Sequence, residues 1–473
     1  MSDFDFDDLH RTFLRMEEDL SLFDLTVDGV PIWERIRFRI HREILFELGI
    51  WGYEQPTREA DLSTYVSKLG LWGTNLVRKN PFLASEHEVL FWGHERRKRL
   101  EDGYWWDVYC DPIHRSLELD SLHVELPYDN THLSPARTEN LRYLDLIQIT
   151  GGMRRRAGLV DVDLTAEKRR RLDGVTEYIE REFGVIVDVE DVAREALSYR
   201  ASTIGLYRRF LRRVDPEVVV LVVSNGKETF IEVCKERDVP VVELQHGILN
   251  EYEYAYSYPG DRTKRAFPDY LFTFGEYWHR QVELPVPDER IRPVGYPFLE
   301  DRVEEHQQVE RREQVLFLSQ PNIGESLARV AVEFDEDHPS DVVFKIHPHE
   351  YGHWRSDYPW LVSSDVEIVG DGGRSLYRLF AESTAQVGVF STALYEGLRF
   401  GLDTYLVDLP GVVHLSDLYE TDRATLVGDA GELTSAMVEP DHEPIDAGSL
   451  FRPDPITRID DELSMIISGS RTV

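Results

Sequence analysis

Short, uninterrupted apolar runs, closed by Gly, Pro or charged residues and separated by amphipathic stretches, recur along this chain from Val89 to Val407. A continuous apolar run is what a parallel strand needs when helices cover both of its faces. Alternation of such runs with helical stretches predicts an α/β, doubly wound architecture. The first series places strands at Val89–Trp92, Val108–Cys110, Leu122–Leu126 and Leu146–Ile149. A long helical tract, Ala166–Phe183 and Val189–Arg213, leads to further strands at Val218–Val223, Val241–Leu244 and Tyr270–Phe274. The charged stretch 300–313 reads as a linker. A second series follows, with strands at Val315–Leu318, Val342–Ile346, Val366–Val369, Gln386–Phe390 and Thr404–Val407 and helices at Glu325–Phe334, Ser375–Glu382 and Thr392–Phe400. Two tandem Rossmann-like units facing a cleft are expected, with ligands beyond the carboxyl ends of the strands.

Ahead of the first strand, Leu9, Phe13, Met16 and Leu20, then Ile32, Ile36, Ile40 and Ile44, recur at helical spacing. The expected organisation is therefore a helical N-terminal extension (1–84), a first Rossmann-like domain on the acceptor side (85–305), a second on the donor side (306–440), and a tail or crossover segment (441–473).

Composition limits the function classes. The chain has 473 residues, enough for two independent cores. Its 88 acidic and 53 basic side chains give a formal charge of −35, which argues against a nucleic-acid binder and its basic face. A hydrophobic share of 42% excludes a disordered acidic chain. Lysine is scarce, eight against 45 arginines. Abundant carboxylates with few lysines are the pattern of a halophilic protein working in molar salt, where the Debye length is about 3 Å and surface charge serves hydration. Two cysteines make no disulfide framework. The N-terminus has no basic and apolar signal regions, and the run 218–223 is far too short to span a bilayer. A cytoplasmic protein is expected, with any membrane contact peripheral at the inner face.

Three strand ends carry candidate chemistry. The segment 241–247, VVELQHG, sets Gln245 and His246 just past a strand of the first unit. The segment 342–349, VVFKIHPH, sets Lys345 and His347 at a strand end of the second. In 386–396, QVGVFSTALYE, a strand runs into Ser391 and Thr392 and then a helix. Ser and Thr are N-cap types, and a helix start offers free N–H groups and about half a positive charge to an anion. Glu396, one turn on, can accept a ribose hydroxyl; an ordinary capped helix with a surface Glu has the same pattern. His246 and His347 are either satisfied structural histidines or, with an ordinary pKa near 6.5, proton acceptors and phosphate ligands.

These residues resemble a family. QHG at 245–247, PDYLFTFG at 268–275 and IRPVGYP at 291–297 look like the GT-B glycosyltransferases of capsule and surface polysaccharide synthesis. KIHP at 345–348 and FSTALYEGLRFG at 390–401 are similar to the His-Pro and Ser-Ser/Ser-Thr motifs of the polysialyltransferase, Kdo-transferase and CDP-glycerol glycerophosphotransferase group. The resemblance covers about residues 215–410. It implies a GT-B fold and a donor diphosphate bound by His347, Ser391 and Thr392, with His246 as the base. Thr392 departs from the Ser-Ser form. Lys345, near His347, and Glu396 are further donor-site candidates by their positions, and the resemblance suggests that the SQPN segment 319–322, with Ser319, touches the donor phosphates. Asn225 in the SNGK segment 224–227 joins Gln245 on the acceptor side. Both short segments are also ordinary turn sequences. Four tyrosines in 251–258 suit either sugar stacking or an ordered loop.

Competing motifs are weaker. HEYGH at 349–353 fits H-E-x-x-H, but it starts beside Pro348 and contains Gly352, against a stable zinc-binding helix. Asp161 and Asp163 form a D-x-D that an acid-rich chain produces by chance. Phosphate-loop, nucleophile-elbow and G-x-G-x-x-G patterns do not occur. Basic clusters at Arg154–Arg156, Lys168–Arg171 and Arg208-Arg209 with Arg212-Arg213 suit helix-face ion pairs or contact with a lipid-pyrophosphate acceptor or an anionic membrane surface. The expected activity is transfer of a sugar from a nucleotide-sugar donor to a glycan or polyprenyl-phosphate-linked acceptor, with no cofactor and no metal. A CDP-alcohol polyol-phosphate transferase, a nucleotide-sugar epimerase and a non-catalytic GT-B scaffold are the alternatives.

Overall fold

The computed structural model describes residues 6–50, 62–321, 323–438 and 446–470. Its contacts divide the chain into two compact units: Met1–Phe274 with Val282–Pro297 and Asp454–Val473, and Gly275–Gln281 with Phe298–Pro453. Asn322 and the first residues of the expected tail, 441–445, lie outside the described residues.

The first unit opens with helices α1 (Phe6–Asp19), α2 (Trp33–Glu47) and α3 (Leu62–Val77). Strands β1 (Val89–Trp92), β2 (Ser121–Glu125) and β3 (Leu141–Tyr143) follow, then helices α4 (Asp145–Arg156), α5 (Ala166–Phe183) and α6 (Val189–Val214). β4 (Val218–Val222), α7 (Glu228–Lys235), β5 (Val241–Leu244), β6 (Tyr270–Thr273) and β7 (Ile291–Pro293) complete it. Local chemistry sets the helix ends. Thr165 accepts the Lys168 N–H at the start of α5, and Gly184 ends that helix in the left-handed region at φ 70°, where a side chain would clash. The seven strands form one parallel sheet in the order β7-β6-β5-β4-β1-β2-β3.

The N-terminal helices belong to this unit. Phe13, Met16, Trp33, Ile36, Ile40 and Ile44 are buried in one cluster with Leu172 and Ile179 of α5, Val192 of α6 and Tyr254. At its centre the Glu17 carboxylate accepts from Arg37 Nε at 2.5 Å, Arg262 Nε at 2.7 Å and Trp33 Nε1 at 2.8 Å. Arg37 also donates to the carbonyls of Tyr254 and Ser257, so the tyrosine-rich segment is tied to α2. The tyrosines there are packed: Tyr252, Tyr254, Tyr256 and Tyr258 are all buried.

The second unit holds a parallel sheet of six strands: β8 (Gln314–Leu318), β9 (Asp341–Lys345), β10 (Glu367–Val369), β11 (Ala385–Gly388), β12 (Asp403–Val407) and β13 (Thr425–Val427). Helices α8 (Gly324–Asp337), α9 (Leu376–Glu382) and α10 (Thr392–Arg399) fall between them. The order is β10-β9-β8-β11-β12-β13. Each sheet thus reads 3-2-1-4-5-6 from its own first strand, the doubly wound Rossmann order, with a seventh strand added in the first. The expected α/β class and the two tandem Rossmann-like sheets are present.

The chain then returns to the first unit as α11 (Pro455–Ser470). Its Ile459, Leu463, Ile466 and Ile467 cover one face of the first sheet, against Val89, Phe91, Val218, Val220 and Val222. The other face, with Leu90, Trp92, Val219 and Leu221, is covered by Tyr207, Phe210 and Leu211 of α6 and Phe230 and Ile231 of α7. Burial on both faces explains why β1 and β4 are apolar at every position.

Two predicted strands are corrected. Val108–Cys110 is a turn that enters a short helix, Asp111–Ser116, and Asp107 Oδ1 accepts the Tyr109 and Cys110 N–H groups. Leu146–Ile149 lies in α4, where Leu146 and Ile147 are buried and Gly151, one turn after Ile147, is buried on the same face. The strand actually paired with β2 is β3, just upstream. Both cysteines are free and buried, and burial pushes their thiol pKa values well up. Among the described residues no helix is long and apolar enough to cross a membrane.

Candidate functional site

In open α/β sheets ligands bind where the strand order reverses, beyond the carboxyl ends of the strands. In the first sheet the reversal lies between β1 and β4. β1 leads into His94, and β4 leads into Val223, Ser224 and Asn225. Val223 has φ 62°, in the left-handed region that a β-branched side chain avoids. Such a conformation costs about 1–3 kcal/mol and persists only where neighbours over-determine it. Two neighbours do so here. The buried Lys227 amine donates to the carbonyls of Val222 at 2.7 Å and Val223 at 2.6 Å, and Glu243 Oε1 accepts the Ser224 N–H at 2.9 Å. Glu243 also accepts the Tyr256 hydroxyl.

His246 lies beside this turn. Its carbonyl accepts from Tyr109 OH at 2.9 Å, its Nδ1 is 3.4 Å from Tyr256 OH, and its ring centroid is 6.4 Å from that of His94. Burial, then the charges of His94 and Lys227, lowers the His246 pKa to about 3. The His94 pKa is also lowered, chiefly by burial. Gln245 is turned to structural use, with its Oε1 accepting the Phe274 N–H and its Nε2 donating to the Gly247 carbonyl, both at 2.8 Å. Asn225 lines a cavity on the α2 side of the same turn. His246 and Asn225 therefore flank one strained loop, while Gln245 pins β5 to β6. His94 and Glu243 were not nominated from sequence, whereas Lys227 and Tyr256 lie in the SNGK and tyrosine-rich segments without having been singled out. An isolated Glu in the apolar run VVEL and a His directly after β1 are the signals that could have found the first two.

In the second sheet the order reverses between β8 and β11. Ser319 and Gln320 follow β8, and Phe390, Ser391 and Thr392 follow β11. Gln320 Oε1 accepts the Phe390 N–H at 3.3 Å and so spans the reversal point. Ser391 is the N-cap of α10, its Oγ accepting the Ala393 N–H at 3.2 Å, and Thr392 is the first helical residue. Glu396 is buried, 8% exposed, on the second turn of that helix.

His347 caps a 3-10 turn over Pro348–Glu350, its Nδ1 accepting the His349 N–H at 3.3 Å. A neutral ring that accepts at Nδ1 carries its proton on Nε2, so the outer nitrogen is a donor. Ser319 and His347 meet at one group: Glu350 Oε2 accepts from Ser319 Oγ at 2.7 Å and from the His347 N–H at 3.1 Å. Lys345 turns away, its amine 3.0 Å from Tyr351 OH and 3.4–3.5 Å from the carbonyls of Gly370 and Val369, at the end of β10. The H-E-x-x-H spacing forms no helix. His349 and His353 flank a turn, Glu350 is fully buried, and His353 is bound to Asp357 at 2.5 Å.

No protein-family model matches the chain, and no curated protein matches it. Among solved structures it is similar to the UDP-GlcNAc 2-epimerase of Methanocaldococcus jannaschii, at 11% identity over 80% of this chain and 99% of that one, with a TM-score of 0.47. The UDP-GlcNAc 2-epimerase of Neisseria meningitidis gives 11% identity, the same coverage and a TM-score of 0.46. The wall teichoic acid polymerase TagF gives 10% identity over 86% of this chain and 98% of that one, with a TM-score of 0.44.

Proposed function

We propose that the protein is a metal-independent glycosyltransferase that moves a sugar from a nucleotide-sugar donor to a glycan or a polyprenyl-phosphate-linked acceptor. The observation that carries this reading is that nominated residues follow the carboxyl ends of strands at or next to the reversal points of two Rossmann-order sheets: Asn225 after β4, Ser319 after β8 and Ser391 and Thr392 after β11, with His246 after the neighbouring β5 and His347 after the neighbouring β9. In the second unit, the α10 start capped by Ser391 and the Nε2 donor of His347 supply positive potential for a diphosphate. Glu396 accepts a ribose hydroxyl. In the first unit, His246 takes the proton of the acceptor hydroxyl as its oxygen bonds to the anomeric carbon. The bond from that carbon to the nucleoside diphosphate breaks, and the diphosphate leaves with the electron pair.

Ser319, bonded to Glu350, and Lys345, bonded to Tyr351, complete the proposed donor site. Melting of the protein with UDP, GDP, CDP, CMP and dTDP sugars tests the proposal, because a ligand of the native state raises the melting temperature by mass action. One base is expected to raise it, with nucleotide released only when an acceptor is added. A panel in which no nucleotide changes the melting temperature would overturn the proposal.

A further inference from the structure

The first unit holds a cavity of about 550 Å³ whose lining combines Arg35, Arg39 and Arg42 of α2 and Arg155 of α4 with three carboxylates, Glu43, Glu195 and Glu228, beside Phe38, Ala196, Tyr199 and the Asn225–Gly226 turn. In a chain of net charge −35, four arginines facing one cavity stand against the general trend. Their counter-charges are shared and incomplete. Arg39 pairs with Glu43 at 2.8 Å and with Glu195 at 2.5 Å, and among the described residues Arg155 has only the same Glu195, at 3.7 Å. Arg35 shares Glu232 with Arg200. Among the described residues Arg42 makes no ion pair; burial depresses its pKa, Glu43 opposes this and Arg39 adds to it. The Arg35 side chain is only 6% exposed, yet its Nε, like that of Arg155, is buried without a hydrogen-bond partner.

The planar forks of several arginines match the geometry of phosphate oxygens. Phe38, Ala196 and Tyr199 add an apolar wall beside them, which a bare inorganic ion would not use. We propose that this cavity binds an organic diphosphate, its phosphates among Arg35, Arg39, Arg42 and Arg155 and its carbon portion against Phe38 and Tyr199. Asn225 and Gly226 connect the cavity to the strained turn beside His246. If the transferase reading holds, the ligand is the acceptor's diphosphate. That assignment rests on the reading above, whereas diphosphate binding itself does not.

Calorimetry with geranyl diphosphate at low ionic strength reads binding without turnover, so failure here is distinguishable from failure of the donor site. Geranyl diphosphate is expected to bind more tightly than inorganic pyrophosphate. Arg42→Gln and Arg155→Gln should each weaken it roughly tenfold or more, the effect of losing a charge-assisted hydrogen bond. Arg290→Gln, at the β7 edge of the sheet, should leave it unchanged and serves as the control. Sedimentation with phosphatidylcholine vesicles carrying a polyprenyl diphosphate separates the sources: capture by these vesicles assigns a lipid headgroup, and binding of the soluble ester alone assigns a free metabolite. The proposal is overturned if the folded wild type binds neither diphosphate, or if both arginine variants bind as the wild type does.

Discussion

Ser319 and His347 share a single oxygen of Glu350, the serine hydroxyl at 2.7 Å and the histidine N–H at 3.1 Å. Tyr358 OH donates to the other oxygen of the same buried side chain. Three donors thus meet two acceptor oxygens. Glu350→Gln places an NH2 group where at least one donor now points, and a buried donor left unsatisfied costs about 1–3 kcal/mol. A urea midpoint lowered accordingly, with weaker nucleotide binding because His347 loses half of its capping box, is the expected result.

Gly324 opens α8 against this same group. A Cβ there would lie 2.3 Å from Glu350 Oε1 and 2.4 Å from Tyr358 OH. Gly324→Ala is expected to destabilise the second unit by about 1–3 kcal/mol, the usual cost of overpacking. An unchanged denaturation midpoint would show that the network has room to shift.

Ser391→Ala removes the N-cap acceptor of α10. The loss in stability is expected near 1 kcal/mol. Nucleotide affinity should fall further in the double variant with Thr392→Ala, measured by calorimetry on the folded protein.

The pH response of His246 has a definite sign. Its native pKa of about 3 lies below the ordinary value of 6.5, so the unfolded chain binds the proton first. The stabilisation is complete above pH 6.5 and is lost as pH falls from there to about 3. Comparing the wild type with His246→Gln at each pH isolates this contribution from the other titrating groups, and the variant is expected to lose less stability on acidification. A ring of such low pKa is a weak base in the free chain. Nuclear magnetic resonance titration should show its pKa rise when a phosphate-bearing ligand sits beside it.

Glu17 anchors three donors in the N-terminal core, and Arg37 is fully buried beside it. Glu17→Ala leaves that guanidinium without its partner. A loss of about 3–5 kcal/mol is expected in thermal or chemical unfolding of the first unit. A loss below about 1 kcal/mol would mean that Arg37 is held by the carbonyls of Tyr254 and Ser257 alone.

The central strands were legible because burial on both faces leaves no polar position, as in the VVVLV of β4. Short elements were not. Val108–Cys110 and Leu146–Ile149 each contain two buried apolar residues, and so short a stretch carries no usable period. The edge strands β3, β7 and β13 have three residues each and are partly exposed, so they lack the apolar run that marked the others. At the sites, residues adjacent in sequence to a strand end could be nominated, and Ser391 and His347 do cap helical turns. What each side chain bonds to is a tertiary matter. Nothing in the local sequence says that Ser319 turns inward to Glu350, that Lys345 leans to β10, or that Lys227 holds a strained Val223 in place.

The covering of the first sheet by Ile459, Leu463, Ile466 and Ile467 has a consequence for synthesis. All seven of its strands have been made once the ribosome passes residue 293, yet the part of this face that Ile113 of the short helix Asp111–Ser116 does not cover stays bare until α11 emerges. At about 5–20 residues per second, that interval is on the order of ten seconds. For that time the nascent chain presents Val89, Phe91, Val218 and Val220 as a sticky surface that chaperones must shield. A stall or early stop between the two points releases a product whose sheet is fully formed and half unclothed.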